Sequence, residues 1–276
     1  MIRVGTRGSA LALAQAAWVG ERLGVEHSLV RIEAKGPAGD KSRWVSELER
    51  ALLADEVDLA VHSAKDVPAE LADGLELVAI PTREDPRDAI CGAPSIAALF
   101  PGARVGTSSL RRAAQILSAR NDVSVVELRG NVDTRLRKLA SGECDALVLA
   151  VAGLARLGRM DAVDGILDGF VPAAGQGALA LEARPGRVPV SALVDPDATA
   201  CVLAERELTR LLGASCNTPI GAYARVVDGG EVELSAWVGR PDGSAWVGDR
   251  LRGAPEGLGA SVAERLLAVG AAELLS

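Results

Sequence analysis

Cysteine, histidine and lysine are scarce in this chain of 276 residues. It has four cysteines, two histidines and 30 basic side chains, of which only four are lysine and 26 are arginine. Cys91, Cys144, Cys201 and Cys216 lie far apart, form no CxxC pair and have no histidine at ligand spacing. This argues against a disulfide framework or a zinc site, and reduced thiols are expected. Long apolar runs are also missing: none approaches the roughly 20 residues of a membrane span. Near the start, Arg3 and Arg7 precede the apolar run from Ala10 to Ala14, which Gln15 ends after five residues. A signal-peptide core needs roughly 7–15, so a helix in a cytoplasmic protein is expected.

Hydrophobic residues make up 49% and charged residues 24%, a globular composition that excludes a disordered chain. The length suits about two domains with a small third, and a chain of this size buries roughly three-quarters of its unfolded surface without staples. The net charge of −7 speaks against a nucleic-acid coat protein, so no nucleic-acid partner is expected. The excess of arginine over lysine, with abundant Ala and Gly, fits a GC-rich coding sequence. The positions of the arginines carry more information than their number.

Two short patterns recur in the same order. Arg3-Val4-Gly5-Thr6 reads as a strand leading through Ser9 into a helix containing Gln15, and Arg104-Val105-Gly106-Thr107 leads into a helix containing Gln115. A helix over 48–54 is followed by Glu56-Val57-Asp58 and the strand Leu59-Ala60-Val61. A helix over 136–140 is likewise followed by Glu143-Cys144-Asp145 and a strand from Ala146. A duplicated pair of α/β lobes with parallel sheets is expected. Residues 1–81 and 178–196 form lobe 1 and 86–173 form lobe 2. The charged, proline-bearing stretch 81–88 and the Gly-rich stretch 171–177 serve as crossings, and a strand returns over 180–195. Residues 198–276 read as helix, three strands and a final helix over 258–275, a small α+β C-terminal domain with a turn at Pro241-Asp242-Gly243.

Strand-to-helix junctions present free N–H groups and the positive end of a helix dipole, which suit anions, although ordinary helix capping also accounts for a single junction. Arg7 and Ser9 mark the first junction; Thr107, Ser108, Ser109, Arg111 and Arg112 mark the second. Arg129 and Arg135 flank the turn Gly130-Asn131, and Arg156 follows another strand. In an open α/β sheet these positions fall at the carboxyl ends of strands, where ligands bind, and guanidinium groups pair with carboxylates or phosphates. The expected ligand is a polyanion held in a cleft between the lobes. Lys65-Asp66 follows the strand ending at Val61, so Lys65 could hold a carboxylate and Asp66 could move protons or stabilise a developing cation. A plain turn is the alternative. Cys216 sits in the loop Ser215-Cys216-Asn217-Thr218-Pro219, unlike the other three cysteines, which read as core residues. It is either a reactive, modifiable thiol or an unremarkable one.

Taken together, the segments TRGSALALAQ, VHSAKDVP, REDPRDA, VGTSSLRR, LRGNVDTRL, LAVAGLARLG, PAAGQGAL and SCNTPIGAYA resemble the porphobilinogen deaminase (hydroxymethylbilane synthase) family over nearly the whole chain. The resemblance implies two lobes like those of periplasmic binding proteins. It implies a transferase of porphyrin, heme and tetrapyrrole biosynthesis that condenses four porphobilinogens head to tail, releasing ammonia, on a dipyrromethane primer. It places that primer's thioether on Cys216, with Lys65, Thr107, Ser109, Arg111 and Arg112 binding it. Arg7, Ser9, Arg129, Arg135 and Arg156 bind substrate, Asp66 is the catalytic acid, and Gln176 lies in a matching block at the return crossing. No metal is implied, and a cytoplasmic monomer is expected. The segment 33–46 departs from typical bacterial members. Their longer stretch belongs to a mobile active-site loop, of which Lys41 and Trp44 occupy the approximate Lys and Phe places. Ala214-Ser215 also replaces Gly-Gly beside the cysteine. The shortened segment motivates a second reading, a non-catalytic binder of anionic pyrroles or other polyanions.

Overall fold

The computed structural model describes residues 1–33, 42–214 and 218–275, with backbone only for 42–44. β1 (Ile2–Thr6), α1 (Ala10–Arg22), β2 (His27–Arg31), α2 (Ser42–Leu53), β3 (Leu59–Ser63), a single turn at Ala64–Asp66 and β4 (Glu76–Ala79) open the chain. β5 (Asp88–Cys91), β6 (Arg104–Gly106), α3 (Leu110–Ala119), β7 (Ser124–Val126) and α4 (Val132–Ala140) follow. β8 (Ala146–Ala150), α5 (Val151–Arg156) and β9 (Gly165–Ile166) complete that region. Then come β10 (Leu179–Ala183), α6 (Pro196–Leu211), β11 (Ile220–Val226), β12 (Val232–Gly239), β13 (Trp246–Gly253), α7 (Leu258–Ala268) and α8 (Ala271–Leu275).

The strands form two five-stranded sheets of one topology, β2-β1-β3-β10-β4 and β7-β6-β8-β5-β9, plus a three-stranded sheet β11-β12-β13. The duplicated sequence patterns therefore become duplicated lobes. The sheets are mixed, which corrects the expectation of parallel ones. β10 runs antiparallel to β3 and β4, and β5 runs antiparallel to β8 and β9. Each of these strands enters its sheet directly from a crossing segment, without the crossover helix that a parallel connection requires.

The chain divides into two compact units, 1–84 with 177–199, and 85–176 with 200–276. In the first, Val4, Leu59, Val61, Leu179 and Leu181 on one sheet face pack against Ala16 and Val19 of α1. Ala60 on the other face packs against Leu48, Ala51 and Leu52 of α2. Each of these fully buried leucines stabilises the fold by roughly 1.5–3 kcal/mol relative to exposure. In the second unit, Ile90, Val105, Val148 and Ile116 form the counterpart core. The C-terminal sheet lays Ala222, Ala224, Leu234, Ala236 and Val238 under Leu208 of α6 and Val262 and Leu266 of α7.

Two element boundaries differ from expectation. The return strand ends at Ala183 rather than near 195, because Pro185 and Pro189 cannot donate to a ladder and Gly186 turns at φ +68°. The final helix breaks at Gly270, whose φ of +93° is foreign to a helix.

Candidate active site

In the first unit, the ends of β1 and β3 lie side by side in a parallel pair. Ser9 caps α1, its hydroxyl accepting from the Ala12 N–H at 3.2 Å, which fixes the chain as it leaves β1 through Arg7. The Arg7 guanidinium donates to Asp66 Oδ2 at 3.2 Å across 59 residues of sequence. Asp66 closes the turn Ala64–Asp66, with Lys65 beside it. Both partners are largely shielded from water, with side-chain exposures of 25% for Arg7 and 12% for Asp66. Arg7, His62, Ser63 and Asp66 line a small recess floored by Val45 and Leu48 of α2. An acid and a cation thus meet at one strand edge; the cation bonded to Asp66 is Arg7 of the first junction.

The second unit gathers positive charge. After β6, Thr107 is buried, and its Oγ1 accepts from the Ser109 N–H at 3.2 Å; Ser109 in turn caps α3. Arg111 and Arg112 of that helix are 3% and 6% exposed, unusual for guanidinium groups and possible only with a counter-charge. Asp88, fully buried at the start of β5, supplies it: Oδ2 lies 2.8 Å from Arg111 Nη1 and Oδ1 accepts from Arg112 Nε at 2.9 Å. Gln176 completes the cluster, its Nε2 donating to Asp88 Oδ1 at 2.8 Å and to the Pro86 carbonyl at 2.6 Å. Burial alone would push the Asp88 carboxyl up, but Arg111 and Arg112 more than offset it and hold the group well below the usual carboxylate range. The Arg111–Asp88 approach is close but off the hydrogen-bond axis, so it counts as an ion pair rather than an aligned bond.

Arg135 of α4 adds a third guanidinium, donating from Nη2 to Ser108 Oγ at 2.9 Å. Burial, and then the charge of Arg112, lower its pKa from the ordinary arginine value. Among the described residues, Arg111 Nε and Arg135 Nε are buried without a hydrogen-bond partner. Three guanidinium groups therefore surround the start of α3 against one carboxylate, with two donors left over. This arrangement attracts an anion with several oxygens. The carboxylate arms of a dipyrromethane fit these residues.

Other expected residues make different contacts or fall elsewhere in the chain. Arg129 is 70% exposed and pairs with Glu127 at 2.7 Å, and Arg156 is half-buried at the end of α5. Cys216 and Lys41 lie outside the described residues, as does the Trp44 side chain. Ala214 and Thr218, on either side of the cysteine loop, belong to the second unit. Cys91, Cys144 and Cys201 are buried free thiols, as expected of core cysteines; burial pushes Cys91 up to about 11. No group of metal-ligating side chains occurs among the described residues. Asp88 escaped the sequence reading, although an acid opening a strand of otherwise apolar residues (Asp88-Ala89-Ile90-Cys91) was a usable signal.

Two α/β lobes of one topology, one with an acid beside a cation and the other with an arginine-rich helix start, define a protein that handles polycarboxylates. Residues 2–192 match the family profile described as "Porphobilinogen deaminase, dipyromethane cofactor binding domain", and residues 199–268 match "Porphobilinogen deaminase, C-terminal domain". The chain belongs to the porphobilinogen deaminase family, whose members are transferases of tetrapyrrole synthesis. Curated relatives with that name include one from Thiobacillus denitrificans, 44% identical over 299 residues, covering 99% of this chain and 97% of the relative. Another, from Syntrophobacter fumaroxidans, is 46% identical over 302 residues, covering 100% and 97%. Among solved structures, the Bordetella pertussis BvgS periplasmic VFT2 domain overlaps at a TM-score of 0.40 with 18% identity, covering 67% of this chain and 81% of that one. Protein PG110 from Staphylococcus aureus overlaps at 0.42 with 11% identity, covering 70% and 83%.

Proposed function

We propose that the chain is a working porphobilinogen deaminase that joins four porphobilinogen molecules head to tail with release of ammonia. The observation that carries this reading is the gathering of Arg111, Arg112 and Arg135 at the start of α3, where one buried carboxylate, Asp88, pairs with the first two and two guanidinium nitrogens have no hydrogen-bond partner among the described residues. Each pyrrole unit brings an acetate and a propionate, the anions such donors are shaped to bind. A dipyrromethane joined by a thioether to Cys216 supplies, when bound, a nucleophilic pyrrole carbon. Thr107, Ser109, Arg111 and Arg112 hold the carboxylates on that side; Arg135, expected above with the substrate, joins them because it reaches Ser108 at the start of α3, and Lys65 supplies a further cation. Arg7, Ser9, Arg129 and Arg156 receive incoming substrate.

In each cycle the aminomethyl C–N bond of porphobilinogen breaks, ammonia leaves and a C–C bond to the next ring forms. The proton lost from the attacking ring carbon balances the one gained by ammonia. Asp66 stabilises the cationic azafulvene formed from the substrate and carries that proton. Arg7, bonded to Asp66, fixes its direction. The same assignment carries with it a cytoplasmic monomer.

Asp66→Ala tests the reading. Removing a proton-transferring group typically costs 10²–10⁴-fold in kcat, and that loss is expected in porphobilinogen consumption by primer-loaded protein. A mere binder of anionic pyrroles has no turnover to lose. Intact-mass measurement of the wild-type chain should show two pyrrole units on Cys216. An unmodified, inactive chain after expression with a porphobilinogen supply would overturn the proposal.

A further inference from the structure

His62 and Glu182 form an ionisable pair in the core of the first unit that no step above uses. Glu182 is fully buried on β10 and His62 is 5% exposed on β3; His62 Nε2 stands 2.8 Å from Glu182 Oε2. Neither Glu182 oxygen has an aligned hydrogen-bond donor among the described residues, so the imidazole is the counterpart that makes this carboxyl tolerable in the core. Its neighbours in the strand, Leu179, Ala180, Leu181 and Ala183, are apolar and buried. A glutamate there interrupts an otherwise ideal buried strand, an exception of the kind found where function overrides packing.

The pair sits directly behind the Asp66 turn. β3 ends one residue after His62, and the turn Ala64–Asp66 follows without a break. β10 holds this corner at two places: the Ala64 N–H donates to the Ala178 carbonyl at 3.0 Å, and Glu182 meets His62. His62 also lines the recess that holds Arg7 and Asp66, and the two α2 residues there, Val45 and Leu48, carry no charge. We propose that Glu182 is a positioning residue for the condensation, acting through His62 to fix the end of β3 and so the direction in which the Asp66 carboxyl points. The proposal rests on the role assigned to Asp66 above.

The test compares Glu182→Gln, which keeps the volume but loses the charge, with Asp66→Ala and wild type, all as primer-loaded full chains. Misdirecting a catalytic group typically costs tenfold or more, so Glu182→Gln should lower kcat about tenfold, leave KM for porphobilinogen within about twofold and keep the primer mass on Cys216. Proton NMR adds a spectroscopic readout, since only His27 and His62 carry imidazoles. The ring-proton signals of His62, assigned by their loss in His62→Gln, should shift between wild type and Glu182→Gln. Unchanged kcat in folded Glu182→Gln would sink the proposal, as would a parallel loss of kcat and primer loading. If Glu182→Gln does not fold, His62→Gln decides, and an unchanged kcat in that folded variant overturns the proposal. Full turnover by Asp66→Ala would instead overturn the role of Asp66 itself.

Discussion

Arg3 and Asp58 bind each other through both backbone and side chain. The Arg3 amide donates to Asp58 Oδ2 at 2.9 Å, its guanidinium reaches Oδ1 at 2.9 Å, and the Asp58 amide returns a bond to the Arg3 carbonyl at 2.9 Å. Arg104 and Asp145 repeat the arrangement in the second lobe at 2.7, 2.9 and 2.8 Å. The two echoes seen separately in the sequence are therefore partners: the arginine of the first grips the aspartate of the second and sets β1 beside β3, or β6 beside β8. That register brings the strand ends carrying Arg7 and Asp66 to one edge.

The two clasps should differ in strength. The Asp58 side chain is 8% exposed and also accepts from Arg187 at 2.9 Å, whereas Asp145 is 25% exposed. Losing hydrogen bonds to a buried charged group costs about 2 kcal/mol, the destabilisation expected of Asp58→Asn in urea unfolding. Asp145→Asn should cost clearly less, because water and salt already weaken an exposed pair. Equal losses would show that the burial difference has no energetic weight.

Asp88 makes stability sensitive to acid. Its carboxyl titrates lower in the folded chain than in the unfolded one, since Arg111 and Arg112 overcome the effect of burial. Its contribution is therefore complete above the unfolded value of about 4 and is lost as pH falls below it. Unfolding free energy should drop between neutral pH and about pH 3 with a slope that Asp88→Asn reduces. At neutral pH that variant leaves two guanidinium groups buried without counter-charge, so a loss of about 3–5 kcal/mol is expected.

The duplicated lobes, the helix starts at Ser9 and Ser109 and the strand-end location of the charged residues were legible because each depends on local pattern. The roles of particular arginines were not. Arg111, Arg112, Arg129 and Arg135 are chemically alike in sequence, yet two are buried on Asp88, one is tied to Glu127 at the surface and one faces Ser108. Only the long-range pairing of β5 with β8 brings Asp88 beneath α3, and no local periodicity encodes that contact. Glu182 was hidden for the same reason: its partner His62 lies 120 positions earlier in the chain and meets it only once β10 returns.

On the proposed function, this difference among arginines divides primer binding from substrate binding. Arg135 belongs to the group around α3 and has an unpartnered buried Nε, whereas Arg129 is mostly in water. Arg135→Ala should yield folded protein largely lacking the added mass on Cys216. Arg129→Ala should carry the full mass but show a KM raised about tenfold, in line with the 1.5–3 kcal/mol of a hydrogen bond to a charged group. Both are read from one intact-mass spectrum and one rate curve per variant.

Gly243 links the C-terminal sheet to the helix that carries the arginines. It occupies the turn between β12 and β13 at φ +71°, with its N–H donating to the Arg240 carbonyl at 2.9 Å. A Cβ there would lie 2.5 Å from the Ser118 nitrogen and 2.8 Å from the Ala114 carbonyl oxygen, backbone atoms of α3 that cannot rotate away. Gly243→Ala therefore adds overpacking, typically 1–3 kcal/mol, to a left-handed conformation that alanine disfavours. Because the strain falls at the C-terminal end of α3 and the arginines lie in its first turn, the turnover of each loaded chain should stay near wild type while thermal stability drops. A fall in kcat per loaded chain would mean that the hairpin sets the arginine geometry as well as the stability of the unit.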